Sequence, residues 1–281
     1  MEKQALVWIN EELVPLSQAR VSVEDRGFLY GDGFFETLRA EDGRVLFLAE
    51  HLERLRASAQ AFRINLPDQV PWEDRLARLL AANGLQQDKA AVKILLTRGE
   101  APGLGLPPSL SPTLVIWARP YIPPGPEEYE TGWPMVVFPE RRTTFIGGHK
   151  SLNYLFYLAA RQYALDQGAR EALILEADGV VSEGAATSLI VTRYDRFLTP
   201  AAPSALPGVT VAVLARALER QGRNLEQERF QLSQVQEADG LWLANSLMGI
   251  MPVSFLEGKS VPQAPEKTRF LRGCLAQEAK G

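Results

Sequence analysis

The chain has 281 residues, of which 46% are apolar and 23% charged, a composition that supports a substantial hydrophobic core. Its net charge of −4 comes without a basic run, so nucleic acid and membranes are not expected partners. Cys274 is the only cysteine, which excludes an intramolecular disulfide bond. The first ten residues lack a signal-peptide pattern, and polar residues interrupt the most apolar stretch, 241–256. We therefore predict a cytoplasmic protein without a membrane span.

Residues 1–118 contain apolar patterns typical of strands and of two amphipathic helices. Apolar side chains recur at helical spacing from Leu48 to Phe62, and Pro71 begins a second helix that ends near Gly84. The predicted elements are strands at 5–9, 13–16, 34–40 and 45–47, helices at 48–62 and 71–83, and strands at 90–97 and 113–119. This segment is predicted to be a smaller N-terminal α+β domain.

Four prolines and a glycine within residues 119–130 predict an interdomain linker. Residues 131–281 then form a larger C-terminal domain. Its predicted elements are strands at 134–138, 171–176, 180–183, 188–193, 225–230, 241–244 and 250–256, and helices at 151–167, 210–221, 233–238 and from 266. Because strands outnumber helices and several form hairpins, we predict an α+β fold with mixed or antiparallel sheets. No G-x-G-x-x-G follows a strand, so a Rossmann site is not expected.

Six motifs occur in one order along most of the chain. They are DRGFLYGDGFFETLR at 25–39, HLERL at 51–55, GGHKSLNYL at 147–155, VVSEGAATSLIV at 180–191, LPGVTV at 206–211 and LANSLMGIMPV at 243–253. In this order they resemble the branched-chain-aminotransferase-like family, the fold type IV enzymes that use pyridoxal 5′-phosphate. The resemblance implies the two-domain fold of D-amino-acid aminotransferases, with the cofactor in the cleft between the domains. It also implies a homodimer.

The resemblance assigns the central chemistry to two residues. Lys150 matches the lysine that holds the cofactor as a Schiff base and moves protons at the substrate α-carbon. Desolvation and nearby positive charge would favour its neutral amine. Glu183 matches the carboxylate that faces the pyridine nitrogen. Outside these motifs, the lysine would be interpreted as exposed and the glutamate as a loop residue.

Five further residues match positions around the cofactor. Arg54 matches the arginine that binds the phosphate. Val209 and Thr210 are predicted at a helix start, where free amides and the helix dipole attract an anion. Ser246 matches a hydroxyl near the phosphate, and Tyr154 is a candidate partner of the ring O3′ oxygen. The alternatives are a solvated arginine, a plain helix entry, a loop serine and a core tyrosine.

The motifs around Lys150 and 245–253 most resemble those of aminodeoxychorismate lyases. Thr37 matches a threonine near the lyase substrate, and Arg26 and Arg98 are candidate partners for substrate carboxylates. Residues 100–108 contain neither the arginine nor the histidine that D-amino-acid aminotransferases use for this purpose, and Phe35 stands in place of their tyrosine. Both differences argue against activity on D-amino acids.

The resemblance therefore predicts a lyase that converts 4-amino-4-deoxychorismate to 4-aminobenzoate and pyruvate, a step of folate biosynthesis. Two alternatives stay open. One is an aminotransferase of the same family that acts on branched-chain or other amino acids. The other is a non-catalytic protein that binds pyridoxal phosphate, because a fold does not determine a function. No residue spacing suggests a metal site, and His51 is expected to orient the start of its helix.

Overall fold

The computed structural model describes residues 5–67 and 69–280. The chain divides into two compact units. The first contains the chain up to Ile122 together with His149–Asn153, and the second contains Pro123–Gly148 and the chain from Tyr154 onward. Among the described residues, no helix has the length and apolar character needed to cross a membrane.

The first unit is built on a six-stranded antiparallel sheet. Its strands are β1 (Leu6–Ile9), β2 (Glu12–Pro15), β3 (Gly33–Glu41), β4 (Arg44–Val45), β5 (Ala90–Thr97) and β6 (Thr113–Pro120). Its α-helices are α1 (Arg26–Tyr30), α2 (Leu48–Ala61) and α3 (Trp72–Ala82), and Leu16–Gln18 form a 3-10 turn. The strand order is β2-β1-β6-β5-β3-β4.

The two faces of this sheet differ in character because strand side chains alternate. Residues such as Phe34 and Ile94 point to one face and pack with apolar residues of α2 and α3 in the core of the unit. The residues between them point to the opposite face, which we call the second face. It comprises Phe35, Thr37, Lys93, Leu95, Val115 and Trp117.

Residues 149–153 pair with the edge of β3. The Phe35 amide donates to the Lys150 carbonyl at 2.8 Å, and the Leu152 amide donates to the Gly33 carbonyl at 2.9 Å. The edge is accessible there because β4 pairs with the opposite end of β3. The sequence analysis placed this segment in the C-terminal domain and began a helix at 151. The backbone pairing instead assigns it to the first unit and delays the helix to Leu155.

The second unit contains a nine-stranded mixed sheet in the order β12-β11-β10-β13-β14-β7-β8-β9, with β15 paired to β14. Its strands are β7 (Trp133–Val137), β8 (Glu171–Leu175), β9 (Val181–Gly184), β10 (Ser188–Arg193), β11 (Arg196–Pro200), β12 (Leu225–Glu228), β13 (Gly240–Asn245), β14 (Gly249–Leu256) and β15 (Lys259–Ser260). Its helices are α4 (Pro126–Thr131), α5 (Leu155–Asp166), α6 (Val209–Arg220), α7 (Leu232–Gln236) and α8 (Pro265–Glu278). The predicted α+β fold with mixed and antiparallel sheets is confirmed.

The proline-rich segment 119–130 is more regular than the predicted linker. β6 extends to Pro120, and α4 begins at Pro126, where a proline suits the first helical turn. The prediction also missed β11, which forms a hairpin with β10. That turn has no glycine because Tyr194 and Asp195 themselves adopt positive φ angles of 50° and 62°.

Candidate active site

Lys150 is held against an aromatic ring of the second face. Its Nζ lies 4.6 Å from the centroid of the Phe35 ring, and its carbonyl accepts the Phe35 amide. The Nζ of Lys93 lies 4.6 Å from the same centroid. Phe35 is buried and both lysines are half-buried. The structure therefore places two amines against one ring, and only Lys150 was predicted to act.

A buried polar cluster orients Arg54. Its Nε donates to Oε1 of Glu36 at 2.8 Å, and its Nη2 donates to Oε2 at 2.6 Å. Glu36 is 1% exposed and the Arg54 side chain 10%, so Arg54 is not the solvated residue of the alternative interpretation. Burial alone would raise the pKa of Glu36, but the hydrogen bonds from Arg54 and His51 outweigh it and lower the pKa.

His51 completes this cluster. Its Nδ1 lies 2.6 Å from Oε2 of Glu36, and its side chain is fully buried. Burial lowers the pKa of His51, so the ring is neutral near pH 7 and Nδ1–H donates to the ionised carboxylate. His51 therefore joins the first turn of α2 to Glu36 on β3, and its expected role in orienting the start of that helix stays a prediction. A carboxylate within the apolar segment FFETL was the signal that could have revealed the cluster.

The residue before Lys150 is also anchored. His149 Nδ1 forms a 3.0 Å hydrogen bond with Ser58 Oγ on α2. Its ring contacts those of Phe34 and Phe62, with centroids 5.9 and 5.0 Å away. Burial lowers the pKa of His149, which favours the neutral ring. These contacts, with the pairing to β3, fix the backbone from which Lys150 projects.

Arg98 is committed to structural contacts rather than to a substrate. It is 0% exposed, and all five of its N–H groups donate to protein oxygens, two of them to Asp32. Arg26 is 5% exposed, and its Nε also donates to Asp32. The carbonyl acceptors are those of Phe62, Arg63 and Pro107 for Arg98 and of Gly103 and Gly105 for Arg26. The two arginines thus hold the 99–107 segment, and the geometry argues against both as carboxylate ligands.

Thr37, the third substrate candidate, lies on the second face. It is half-buried and pairs in register with Lys93 of β5. It is two residues from Phe35 on the same strand, so the two side chains share this face. The structure thus brings Thr37, Lys150 and Phe35 together within the first unit.

Glu183 is buried in the second unit, where donors hold both of its carboxylate oxygens. Its Oε1 accepts from the Tyr157 hydroxyl at 2.6 Å, and its Oε2 accepts from the Leu206 amide at 3.0 Å. Burial, followed by the charge of Glu183, raises the pKa of Tyr157, so the phenol stays protonated as a donor. Tyr154 instead donates to the Ala185 carbonyl at 3.2 Å, and its ring centroid lies 5.0 Å from that of Tyr157.

Tyr157 is a site residue that the sequence analysis missed. It follows Tyr154 by three residues, close to one helical turn, which is a spacing that places two side chains on neighbouring positions. That spacing was the available signal.

The proposed phosphate donors of the second unit lie where the sequence predicted them. Val209 and Thr210 are the first two residues of α6, one position earlier than predicted, and both are buried. Gly208 precedes them, and a Cβ there would lie 2.3 Å from the Ser188 hydroxyl, so a side chain at this position would displace that hydroxyl. Ser246 lies half-buried in the turn between β13 and β14. The first amides of a helix have no intrahelical acceptor and can bind an anion.

Replacing Tyr157 with phenylalanine should destabilise the protein by about 1–2 kcal/mol, because the buried Glu183 carboxylate loses the hydrogen bond from the Tyr157 hydroxyl. Urea unfolding measures the difference. Tyr194→Phe is the matched control, since Tyr194 is 85% exposed and should change the free energy of unfolding by less than about 0.5 kcal/mol. Equal effects of the two variants would contradict the assigned hydrogen bond.

Comparison with known proteins agrees with this geometry. The family model described as amino-transferase class IV matches residues 33–256. The chain is 31% identical over 263 residues to branched-chain-amino-acid aminotransferase-like protein 2 of Arabidopsis thaliana. It is 30% identical over 259 residues to a D-alanine aminotransferase of Staphylococcus epidermidis. The match covers 91% of this chain in both cases, but 46% of the Arabidopsis protein and 90% of the Staphylococcus protein.

Solved structures show the same fold. The branched-chain amino acid aminotransferase of Escherichia coli has a TM-score of 0.85 and 27% identity, with coverage of 96% of this chain and 93% of that one. A second branched-chain amino acid aminotransferase, solved with N-(5′-phosphopyridoxyl)-L-glutamate, has a TM-score of 0.86 and 24% identity, with coverage of 98% and 94%. This chain therefore belongs to the class IV aminotransferase family.

Proposed function

We propose that this protein is a pyridoxal-phosphate-dependent aminotransferase that acts on amino acids. The observation that carries the proposal is the family match over 33–256 together with the placement of Lys150 against Phe35. The Staphylococcus relative is a D-alanine aminotransferase, the Escherichia coli structure is a branched-chain amino acid aminotransferase, and the solved structures of the same fold include one with a phosphopyridoxyl group. Branched-chain L-amino acids are the first substrates to test.

The residues of the chain fit the chemical groups of this cofactor. Lys150 supplies an amine for its aldehyde. The Arg54 guanidinium, held by Glu36, and the first amides of α6 suit a phosphate. Glu183 suits a protonated ring nitrogen, because it is a buried carboxylate held in place by Tyr157 and the Leu206 amide. Ser246 and Tyr154 remain candidate contacts to the cofactor.

The cofactor, once bound, supplies an electron-withdrawing ring conjugated to the substrate α-carbon. Lys150 would take the proton from the substrate α-carbon with its neutral Nζ and would later donate a proton back to complete the transfer of the amino group. Glu183 would keep the ring nitrogen protonated, and Tyr157 would hold the Glu183 carboxylate in place. Arg54 would fix the phosphate end of the cofactor, so that the distance and orientation between Lys150 and the substrate stay constant.

A lyase acting on 4-amino-4-deoxychorismate is the second candidate. It is favoured by the likeness of residues 149–155 and 245–253 to lyase motifs and by Thr37 on the same face as Phe35. Lys150 would remove the proton from the carbon that bears the amine, and the C–O bond between the ring and the enolpyruvyl group would break as the ring becomes aromatic. The released enolpyruvate would take up one proton to give pyruvate. No 2-oxo acid is then required for turnover.

One assay distinguishes the two candidates. The purified protein, saturated with pyridoxal phosphate, is incubated with L-leucine and 2-oxoglutarate, and separately with enzymatically generated aminodeoxychorismate alone. We expect glutamate to accumulate over many turnovers in the first mixture. Multiple turnovers to 4-aminobenzoate and pyruvate without any oxo acid would contradict the aminotransferase proposal and support the lyase. Cofactor binding without turnover of a panel of L- and D-amino acids or of aminodeoxychorismate would contradict both and favour a non-catalytic protein.

A further inference from the structure

Glu176 is a buried carboxylate that directly follows β8 and has no part in the mechanism proposed above. Its exposed fraction is 1%. Its Oε1 accepts the Ser182 hydroxyl at 2.8 Å and the Ser204 amide at 3.1 Å. Its Oε2 accepts the Thr143 hydroxyl at 2.7 Å and the Ser204 hydroxyl at 2.9 Å. The carboxylate therefore joins three segments of the second unit that are distant in sequence.

These four hydrogen bonds make the burial of Glu176 possible. An ionised carboxylate loses its hydration when it is buried, and this loss is costly unless hydrogen bonds replace it. A carboxylate offers about four acceptor positions, so three hydroxyls and one amide can satisfy it. A fully satisfied polar network also makes its surroundings rigid. Glu176 thus fixes the relative positions of the segments that it joins.

The first of these segments is the strand that carries Glu183. Between two successive backbone pairs of β8 and β9, β9 has one residue more than β8, and that extra residue is Ser182. Such a β-bulge changes the direction of neighbouring side chains, and Glu183 is the next residue of the strand. The hydrogen bond from the Ser182 hydroxyl to Glu176 holds the bulge in place.

The second segment carries a donor to Glu183. Ser204 lies two residues before Leu206, whose amide donates to Oε2 of Glu183 at 3.0 Å. Both the amide and the hydroxyl of Ser204 donate to Glu176. The third segment packs closely against the second, because the Thr144 amide donates to the Ser204 hydroxyl at 2.8 Å. Glu176 therefore holds both the strand of Glu183 and one of its hydrogen-bond donors.

We propose that Glu176 is a positioning residue for Glu183. By fixing the bulge at Ser182 and the segment 204–206, it keeps the Glu183 carboxylate in the orientation that suits a protonated ring nitrogen. The proposal rests on the proposed function, since it assumes that Glu183 faces the ring nitrogen of pyridoxal phosphate. Glu176 acts only through its neighbours, so its loss should change the behaviour of the bound cofactor as well as the stability of the fold.

The test compares four variants, each saturated with pyridoxal phosphate. Glu176→Ala removes all four acceptor contacts. Glu176→Gln keeps a carbonyl oxygen that can accept from the Ser182 hydroxyl and the Ser204 amide. Ser204→Ala removes one hydroxyl donor and serves if Glu176→Ala does not fold. Thr268→Ala is the matched control, because it removes a buried hydroxyl of the same unit that bonds to Trp242 and to the Ala264 carbonyl instead.

Three measurements on these proteins separate positioning from stability. Hydrogen exchange with mass spectrometry reports the protection of the segment 201–207, which contains the Leu206 amide. Nitrogen NMR of isotope-labelled pyridoxal phosphate reports the protonation of its ring nitrogen in the bound state. Single-turnover and steady-state kinetics with L-leucine separate kcat from KM. Urea unfolding confirms that each variant is folded and gives its loss of stability.

We expect Glu176→Ala to exchange about 10-fold faster over 201–207, because the hold on this segment is lost. The rate of conversion of L-leucine should fall by about 10- to 100-fold with little change in KM, the effect of a misplaced group, and the ring-nitrogen signal should move toward the unprotonated form. Ser204→Ala should show smaller changes in the same directions. Glu176→Gln should stay close to the wild type, and Thr268→Ala should lose stability without a change in any of the three measurements.

Two results would overturn the proposal. One is a folded Glu176→Ala, or Ser204→Ala in its place, that loses stability but keeps the exchange, the ring-nitrogen signal and the rate of the wild type, as Thr268→Ala should. The other is a Glu176→Gln as impaired as Glu176→Ala, because the effect would then belong to the charge of Glu176 and not to its hydrogen bonds. Absence of turnover by the wild type would instead count against the proposed function, and exchange over 201–207 would then decide by itself whether Glu176 holds the donor of Glu183.

Discussion

Replacement of Lys150 by alanine is expected to lower the rate of amino-group transfer by about 10⁴-fold, the upper part of the range for loss of a general acid–base group. The physical reason is that the variant lacks the amine proposed to hold the cofactor and to move the α-proton. Lys150→Arg should be equally inactive, because a guanidinium does not deprotonate in proteins. The measurement is the single-turnover rate of conversion of L-leucine by protein saturated with pyridoxal phosphate.

Mapping of the modified lysine separates Lys150 from its neighbour. Borohydride reduction of the loaded wild type, followed by proteolysis and mass spectrometry, should place the label on Lys150. Lys93 is the informative internal control because its Nζ lies at the same 4.6 Å from the Phe35 ring. A label on Lys93, or full activity of Lys150→Ala, would refute the assignment.

Glu36→Ala is expected to destabilise the protein by about 3–5 kcal/mol, because the Arg54 guanidinium loses both hydrogen bonds to the Glu36 carboxylate in a largely buried site. His51 would lose its acceptor as well. Urea unfolding gives the free energy. Glu41→Ala on the same strand is the control. Its side chain is 30% exposed and pairs with Arg39 and Lys89 near the surface, so its loss should cost no more than about 1 kcal/mol. Similar losses for the two variants would contradict the role of the cluster.

The same cluster predicts a pH dependence. The pKa of Glu36 is lower in the folded protein than its usual value, so its stabilising contribution is present above the usual range and is lost as the pH falls below it. The pKa of His51 is also lowered, and protonation of the buried ring therefore opposes folding at acid pH. The difference in unfolding free energy between the wild type and Glu36→Gln should accordingly stay nearly constant from pH 7 down to the usual glutamate range and shrink as the pH falls below that range. A difference that also stays constant below that range would show that the Glu36 charge is not involved.

Most element positions followed from local patterns. The helical spacing from Leu48 onward predicted α2 to within one residue, and β10 agrees with its predicted bounds. The misses occurred where tertiary contacts override local preference. Residues 151–153 are not helical, because their backbone pairs with the edge of β3. The five-residue helix α1, which was not predicted, is capped by the Asp25 side chain.

The roles of individual residues were also predictable only in part from local patterns. Motif order alone pointed to Lys150, Glu183, Arg54 and the start of α6, and it led to the family that the comparisons confirm. It could not tell a substrate-binding arginine from a structural one, since Arg98 is defined by five acceptors, most of them distant in sequence. The lyase preference drawn from the motifs is less well supported than the aminotransferase alternative.

The sequence by itself determined the α+β class, the family and the residue types available for chemistry, because strand and helix periods and motif order are local properties of a chain. Only the tertiary structure decided which charges are already paired. Arg26 and Arg98 are committed to Asp32, Arg54 is committed to Glu36, and Lys93 lies against Phe35 without a described carboxylate. Pairing depends on burial and on contacts between distant segments, and these exist only once β3, β5 and residues 149–153 lie side by side.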